Sequence, residues 1–286
     1  MSKIVNLPRT APATKKGASF EFITTPTASE ILSALSICQR KGWMGSVIGA
    51  PGIGKTTTFH HYASTRPIAW RERRRVRVSA YMLGVAPAIA DDMQRDAPFQ
   101  EYTPGVLMVA LTGAMRSPTA LMVELTRDLV TTKANVTYRF DVLSEKLREG
   151  DLIIIDEAQN LGDDALDILR SLHDKTSASI FIGGNPKVMA KPDSARERDM
   201  AQFYSRLAVT LRFDETSDED LKAFFDHHQI VGARARALLR THAGRSNLGT
   251  LRRISYYVEI CHELAGEGQP IELGHVEKAV QALADR

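Results

Sequence analysis

Residues Gly45 to Thr57 read GSVIGAPGIGKTT. The apolar run Ser46 to Ile48 is short, as a strand would be, and it stops at Gly49. From there Gly49, then Ala50, Pro51, Gly52 and Ile53, then Gly54, Lys55 and Thr56 follow the spacing G-x-x-x-x-G-K-[ST], with Thr57 next in line. In such a loop backbone N–H groups cradle phosphates and the lysine reaches the outermost ones. Glycine permits positive φ and close backbone approach, and the helix beginning at Lys55 turns its positive end toward an anion. Thr56 stands where a hydroxyl can ligate Mg²⁺. A bland Gly-rich turn would need neither lysine nor hydroxyl, so the stretch predicts strand, phosphate loop and helix with a nucleotide as ligand.

Composition bounds the rest. The 286 residues are 43% hydrophobic and 25% charged, as expected of a globular chain that can bury one sizeable α/β core and a smaller satellite. A net charge of +3 does not announce a nucleic-acid binder, so a basic surface must come from local clustering or from many subunits side by side. Cys38 and Cys261 stand far apart within apolar helical patterns, without metal-ligand spacing. Both read as reduced core residues, which suits a cytoplasmic protein. No apolar run is long enough for a membrane span, and the opening MSKIVNLPRT has no signal-peptide core.

In chain order, residues 1–25 form a polar arm without apolar periodicity, expected to be flexible. Thr27 stands three residues before Glu30, a capping-box spacing, and predicts a helix from about Ala28 to Lys41. A helix from Lys55 to about Ser64 follows the phosphate loop. The basic run from Trp70 to Arg77 reads as solvated surface or as a phosphate grip. Val106 to Leu111 predicts a buried strand, Thr119 to Val130 a helix, and Tyr138 to Arg148 another that stops at Gly150. Alternating strands and helices imply a parallel sheet covered on both faces.

The second chemical anchor is Leu152 to Asn160, LIIIDEAQN. Continuous apolar residues make a strand buried on both faces, whose C-terminal end delivers Asp156 and Glu157 to the edge where ligands bind in open α/β sheets. Asp156 suits the Mg²⁺ shell. Glu157 is placed to polarise an attacking water. An acidic helix cap would explain either residue singly, but not both downstream of a complete phosphate loop.

Ser179 to Pro186, SIFIGGNP, is a further core strand ending in Asn185, whose amide either orients the water or serves a turn. Arg206 precedes a final strand in FYSRLAVTLRF. It is either a surface charge or an arginine finger that stabilises transition-state charge across a subunit boundary.

This order of parts resembles the AAA+ ATPases. From Asp218 onward the chain supports the resemblance, with four helical patterns marked by Leu221, Phe224 and Phe225, by the run Val231 to His242, by Leu251, Ile254, Val258 and Cys261, and by Val276, Ala279 and Leu283. The expected architecture is a P-loop core over 26–213 and an all-helical lid over 214–286. Within GTLRR, the resemblance makes Arg252, with Arg253 the neighbouring register, a sensor that reaches the nucleotide from the lid; a solvated helix arginine is the other reading.

IIIDEAQNL, FIGGNP and the lone helix before the phosphate loop look most like the DNA-transposition ATPases of the phage Mu B, TnsC and TniB group. That resemblance implies ATP-dependent assembly with copies of itself, as an oligomer or helical filament on double-stranded DNA, and recruitment of a transposase. In those proteins the DNA-facing residues lie between the phosphate loop and the Asp-Glu strand, which nominates Arg116 and the group Thr131, Thr132 and Lys133. Plain solvated loop chemistry explains them equally, and residues 71 to 77 or Lys15 and Lys16 are the other basic candidates. An ExeA-like secretion-associated ATPase or a helicase-loader or origin-type AAA+ ATPase would share the core motifs. A small-molecule kinase would share the loop, but has no need of Glu157 beside Asp156.

Overall fold

The computed structural model describes residues 22–67, 104–113, 116–131, 133–186, 202–243, 250–266 and 268–284. The predicted arm up to residue 21, the basic run 71–77, Lys15, Lys16 and Thr132 lie outside them.

Five strands, β1 (Met44–Gly49), β2 (Val106–Ala110), β3 (Leu152–Asp156), β4 (Ser179–Gly184) and β5 (Leu207–Phe213), form one sheet in the order β2-β3-β4-β1-β5. Every neighbouring pair is parallel. β1, β3 and β4 are buried along their whole length, as their continuous apolar runs require. β5 alternates between partly buried and exposed, which marks it as a sheet edge.

Helices cover both faces. On one side α1 (Pro26–Lys41) and α2 (Lys55–Ser64) bring Ile31, Leu35, Cys38, Phe59 and Tyr62 against Val47, Val106, Leu152, Ile154 and Phe181. On the other, α3 (Pro118–Leu125), α4 (Val136–Lys146) and α5 (Asp163–Thr176) bury Leu121, Leu143 and Leu169 against Val109, Ile153, Ile155, Ile180 and Ile182. After β5, helices α6 (Asp218–His227), α7 (Ala233–Ala243), α8 (Thr250–Ala265) and α9 (Leu273–Ala284) gather around their own apolar cluster, which holds Leu221, Phe225, Leu239, Ile254, Cys261, Val276 and Ala279. The two cysteines are free and buried, and burial pushes both thiols up to about 11.

Several helix limits differ from the sequence expectation: α4 starts two residues earlier, at Val136 after the Asn135 cap, and ends at Lys146, and α7 starts at Ala233. The cap of α1 is Thr25, whose hydroxyl accepts from Ala28 N–H at 3.2 Å, and Pro26 occupies the first turn. Thr27 is therefore inside the helix and engages Asp220 of α6 instead. α3 ends at Leu125, not Val130. The Thr126 hydroxyl donates back to the Met122 carbonyl at 2.5 Å and accepts from buried Arg139 at 2.8 Å, which turns the chain out of the helix while Leu129 still packs on the core.

Candidate nucleotide-binding site

The sheet order puts β4 between β1 and β3, so the phosphate loop and Asp156 emerge from strands two places apart on the same C-terminal edge. β4 ends in two glycines. A Cβ at Gly183 would overlap the Phe59 ring, so the missing side chain lets α2 lie close to the sheet. That approach carries Thr56 to Asp156, and Thr56 Oγ1 donates to Asp156 Oδ2 at 2.6 Å.

The loop is held from both ends. Ala50 N–H donates to the Phe213 carbonyl at 3.0 Å, tying it to β5, and Ile53 is buried beneath it. Gly52 and Gly54 have φ of 79° and 97°, conformations that side chains resist. The Lys55 ammonium crosses the loop and donates to the Gly49 and Ala50 carbonyls at 2.8 and 2.9 Å. Pro51 and Thr57 are exposed. Burial pushes the Lys55 pKa down and Arg252 adds to that, against the opposing pull of Asp156 and Glu157.

Asp156 is 1% exposed and accepts Glu157 N–H at 2.9 Å on its second oxygen. Burial raises its pKa, against the hydrogen bonds from Thr56 and Glu157. Thr56 and Asp156 supply two hard oxygen donors beside the lysine, a set that suits Mg²⁺. Glu157 is exposed and sits at φ 57°, in the left-handed region.

Asn185 follows β4 on this same edge, and its N–H donates to Gln159 Oε1 at 3.2 Å. Arg252 lies in the first turn of α8 with its charge felt at Lys55, whereas Arg253 turns back on its own helix, 3.3 Å from the Tyr257 hydroxyl. Arg206 is not brought to this edge. It stands at the opposite end of β5, paired through two nitrogens with Asp174 at 2.9 and 3.0 Å. Arg116, Thr131 and Lys133 are exposed, and the Arg116 carbonyl accepts Gly162 N–H at 3.0 Å. Sequence reasoning missed the roles of Gln159 and Asn160 at this edge, and it gave Thr27 a capping role rather than its bond to Asp220. The first two stand in the quoted LIIIDEAQN, where their amide side chains were the available signal.

A strand, a glycine loop with lysine and threonine, a helix, and an aspartate ending the strand two places away define a P-loop nucleotide-binding protein. Residues 39–190, more than half of the chain, match the AAA domain family, and the chain belongs to it. It is similar to the ATP-dependent target DNA activator B of Escherichia phage Mu, 25% identical over 264 residues that span 92% of this chain and 73% of the relative. The Mu-like prophage FluMu DNA transposition protein B of Haemophilus influenzae is 23% identical over 204 residues, 71% of this chain and 59% of that protein. The transposition branch to which the motifs point is thus the branch named in these relatives. Among solved structures, a Thermotoga maritima RuvB mutant matches with a TM-score of 0.50 at 15% identity, over 91% of this chain and 70% of that one. A structure of Drosophila ORC bound to DNA matches with a TM-score of 0.52 at 15% identity, over 99% and 71%. These two show the AAA+ fold. Among the described residues, no helix is long and apolar enough to cross a membrane.

Proposed function

We propose that this chain is an ATP-hydrolysing regulator of DNA transposition that assembles with copies of itself on double-stranded DNA and presents that DNA to a transposase. The observation that carries the chemistry is the meeting of Thr56 and Asp156 at 2.6 Å beside Lys55, a site for a metal-bound triphosphate. The relatives' names supply the biological setting.

In this reading the chain divides into an arm to residue 25, an ATPase core over 26–213 and a helical lid over 214–286. Lys55 and the loop N–H groups hold the phosphates, with Arg252 closing on them from the lid. Thr56 and Asp156 hold Mg²⁺, which when bound neutralises charge on the phosphate oxygens. Glu157 takes the proton of the attacking water, and Asn185 orients that water at the end of β4. Arg206 serves the site of a neighbouring copy. Arg116, Thr131, Thr132 and Lys133 touch DNA phosphates, one or two contacts per subunit that a repeating assembly multiplies.

Electron microscopy and ATP turnover with and without linear duplex DNA test this function. Filaments around the duplex, formed with ATP and weakened by salt, are the expected result. Monomeric protein whose turnover ignores duplex DNA would overturn it. Removing the charges at Arg116 and Lys133 together should reduce the salt dependence while ATP binding stays intact.

A further inference from the structure

After Asp156 and Glu157 the chain makes a single 3-10 turn, Ala158–Asn160, whose two amide side chains reach in opposite directions. Asn160 Nδ2 donates to the Leu111 carbonyl at 3.2 Å, and Leu111 N–H donates to the Asp156 carbonyl at 3.1 Å, which ties the turn to the end of β2. Gln159 reaches toward β4. Its Oε1 accepts Asn185 N–H at 3.2 Å, and its Nε2 donates to Glu157 Oε2. The neighbours dictate this amide orientation, since a backbone N–H must face the oxygen and a carboxylate must face the NH₂.

One half-buried side chain therefore joins the Glu157 carboxylate to the backbone at the end of β4. Glu157 needs such a partner. Its left-handed backbone, φ 57°, is one a glutamate adopts only where its surroundings determine it. Its exposed side chain would otherwise sample many rotamers, and a general base acts efficiently only when held within reach of its proton. With Oε2 taken by the amide, Oε1 is left for water.

We infer that Gln159 is a positioning residue for hydrolysis: it orients Glu157 over the phosphate edge and makes that orientation follow the Asn185 end of β4. The inference rests on Glu157 being the base. Through these two bonds any displacement at the Asn185 end of β4 would be carried by the Gln159 amide to the carboxylate.

Two substitutions in the full chain separate the two bonds. Gln159→Leu removes both, while Gln159→Glu keeps an acceptor for Asn185 N–H and sets a negative charge against Glu157. Both should lower kcat for ATP by about tenfold to a hundredfold while nucleotide Kd stays within about twofold, the pattern of a misplaced group rather than a damaged binding site. In a Glu157→Gln background, Gln159→Leu should add no further loss in single-turnover rate, because a residue acting only through Glu157 is silent without it. Normal kcat in both variants, a parallel loss of nucleotide affinity, or a full additional loss in the Glu157→Gln background would each overturn the inference. If Gln159→Leu does not fold, Gln159→Glu alone decides by the same split between kcat and Kd. Near-normal turnover in Glu157→Gln alone would instead remove the base assignment, whereas an inactive Glu157→Gln beside a normal Gln159→Leu removes only the role of Gln159.

Discussion

The buried carboxylate of Asp220 holds the start of a helix 193 residues away: Oδ1 accepts Thr27 N–H at 2.8 Å and Oδ2 accepts the Thr27 hydroxyl at 2.6 Å. The same Asp220 completes the capping box of α6 with Ser217. One side chain thus satisfies the N-terminal ends of α1 and α6, one packed on the sheet and the other in the helical cluster after it. Burial by itself would raise the Asp220 pKa, but the bonds from Thr27, Ser217 and Thr25 prevail and lower it. A depressed carboxylate contributes its stability fully above the ordinary unfolded value and loses it as pH falls through the folded one. Asp220→Ala should cost about 3 kcal/mol in urea unfolding, from two lost caps and buried donors left unpaired. A loss below about 1 kcal/mol would deny the double cap its weight.

His228 should make the helical cluster sensitive to mild acid. Burial, with His227 and His262 adding, pushes its pKa down to about 4, and its Nδ1 lies 3.1 Å from His262 Nε2. The unfolded chain takes up this proton near pH ~6.5 and the folded chain does not, so stability falls as pH drops from about 6.5 toward 4. His228→Phe should flatten that part of the stability curve, followed by circular dichroism. A curve that keeps its slope in the variant would place the sensitivity elsewhere.

Gly183→Ala should damage the site through packing alone. The new methyl would meet the Phe59 ring and lift α2, costing about 1–3 kcal/mol and drawing Thr56 away from Asp156. ATP affinity should fall with stability, and Phe59→Leu in the same chain should recover part of both. Independent, additive losses in thermal unfolding would show that the two side chains do not compete for this space.

Glu157→Gln should keep ATP binding and lose at least about a hundredfold in hydrolysis, the low end for a positioned general base. Lys55→Ala should fail earlier, at nucleotide binding itself, because it removes the ammonium that now spans the phosphate loop, bonded to the Gly49 and Ala50 carbonyls. Equilibrium binding beside single-turnover rates separates the two outcomes.

Arg206→Ala should bind ATP normally yet lose any rise of turnover with protein concentration. β5 runs seven residues between Arg206 and the end that bonds Ala50, about 20 Å of extended chain, so Arg206 cannot reach its own phosphate loop. Equal turnover per site in dilute and concentrated wild-type protein would end the finger role.

The sheet and the phosphate edge were legible in the sequence because their signals are local. Gly49 to Thr56 is a fixed spacing, Leu152 to Ile155 is a continuous apolar run, and Leu251, Ile254, Val258 and Cys261 share one helix face. What escaped depends on partners distant in the chain. Thr27 has the spacing of a cap, but Thr25 takes that role while Asp220 takes Thr27. Leu129 keeps helical spacing, yet Thr126, held by Arg139, has already ended the helix. Gln159 gains meaning only when Asn185 is folded beside it, 26 residues later.

The placement of Arg206 and the phosphate loop at opposite ends of β5 has a directional consequence. If copies join through these two ends as proposed, they would meet head to tail, with unlike surfaces in contact, and such an assembly would have a polarity and close only if its rotation divided a full turn. In an open assembly of that kind one terminal subunit would hold nucleotide without a neighbour's arginine, while the other terminus would offer an arginine with no nucleotide to serve. The two tips would then age differently, one retaining its triphosphate longest, and growth and shedding of subunits would be biased toward opposite tips.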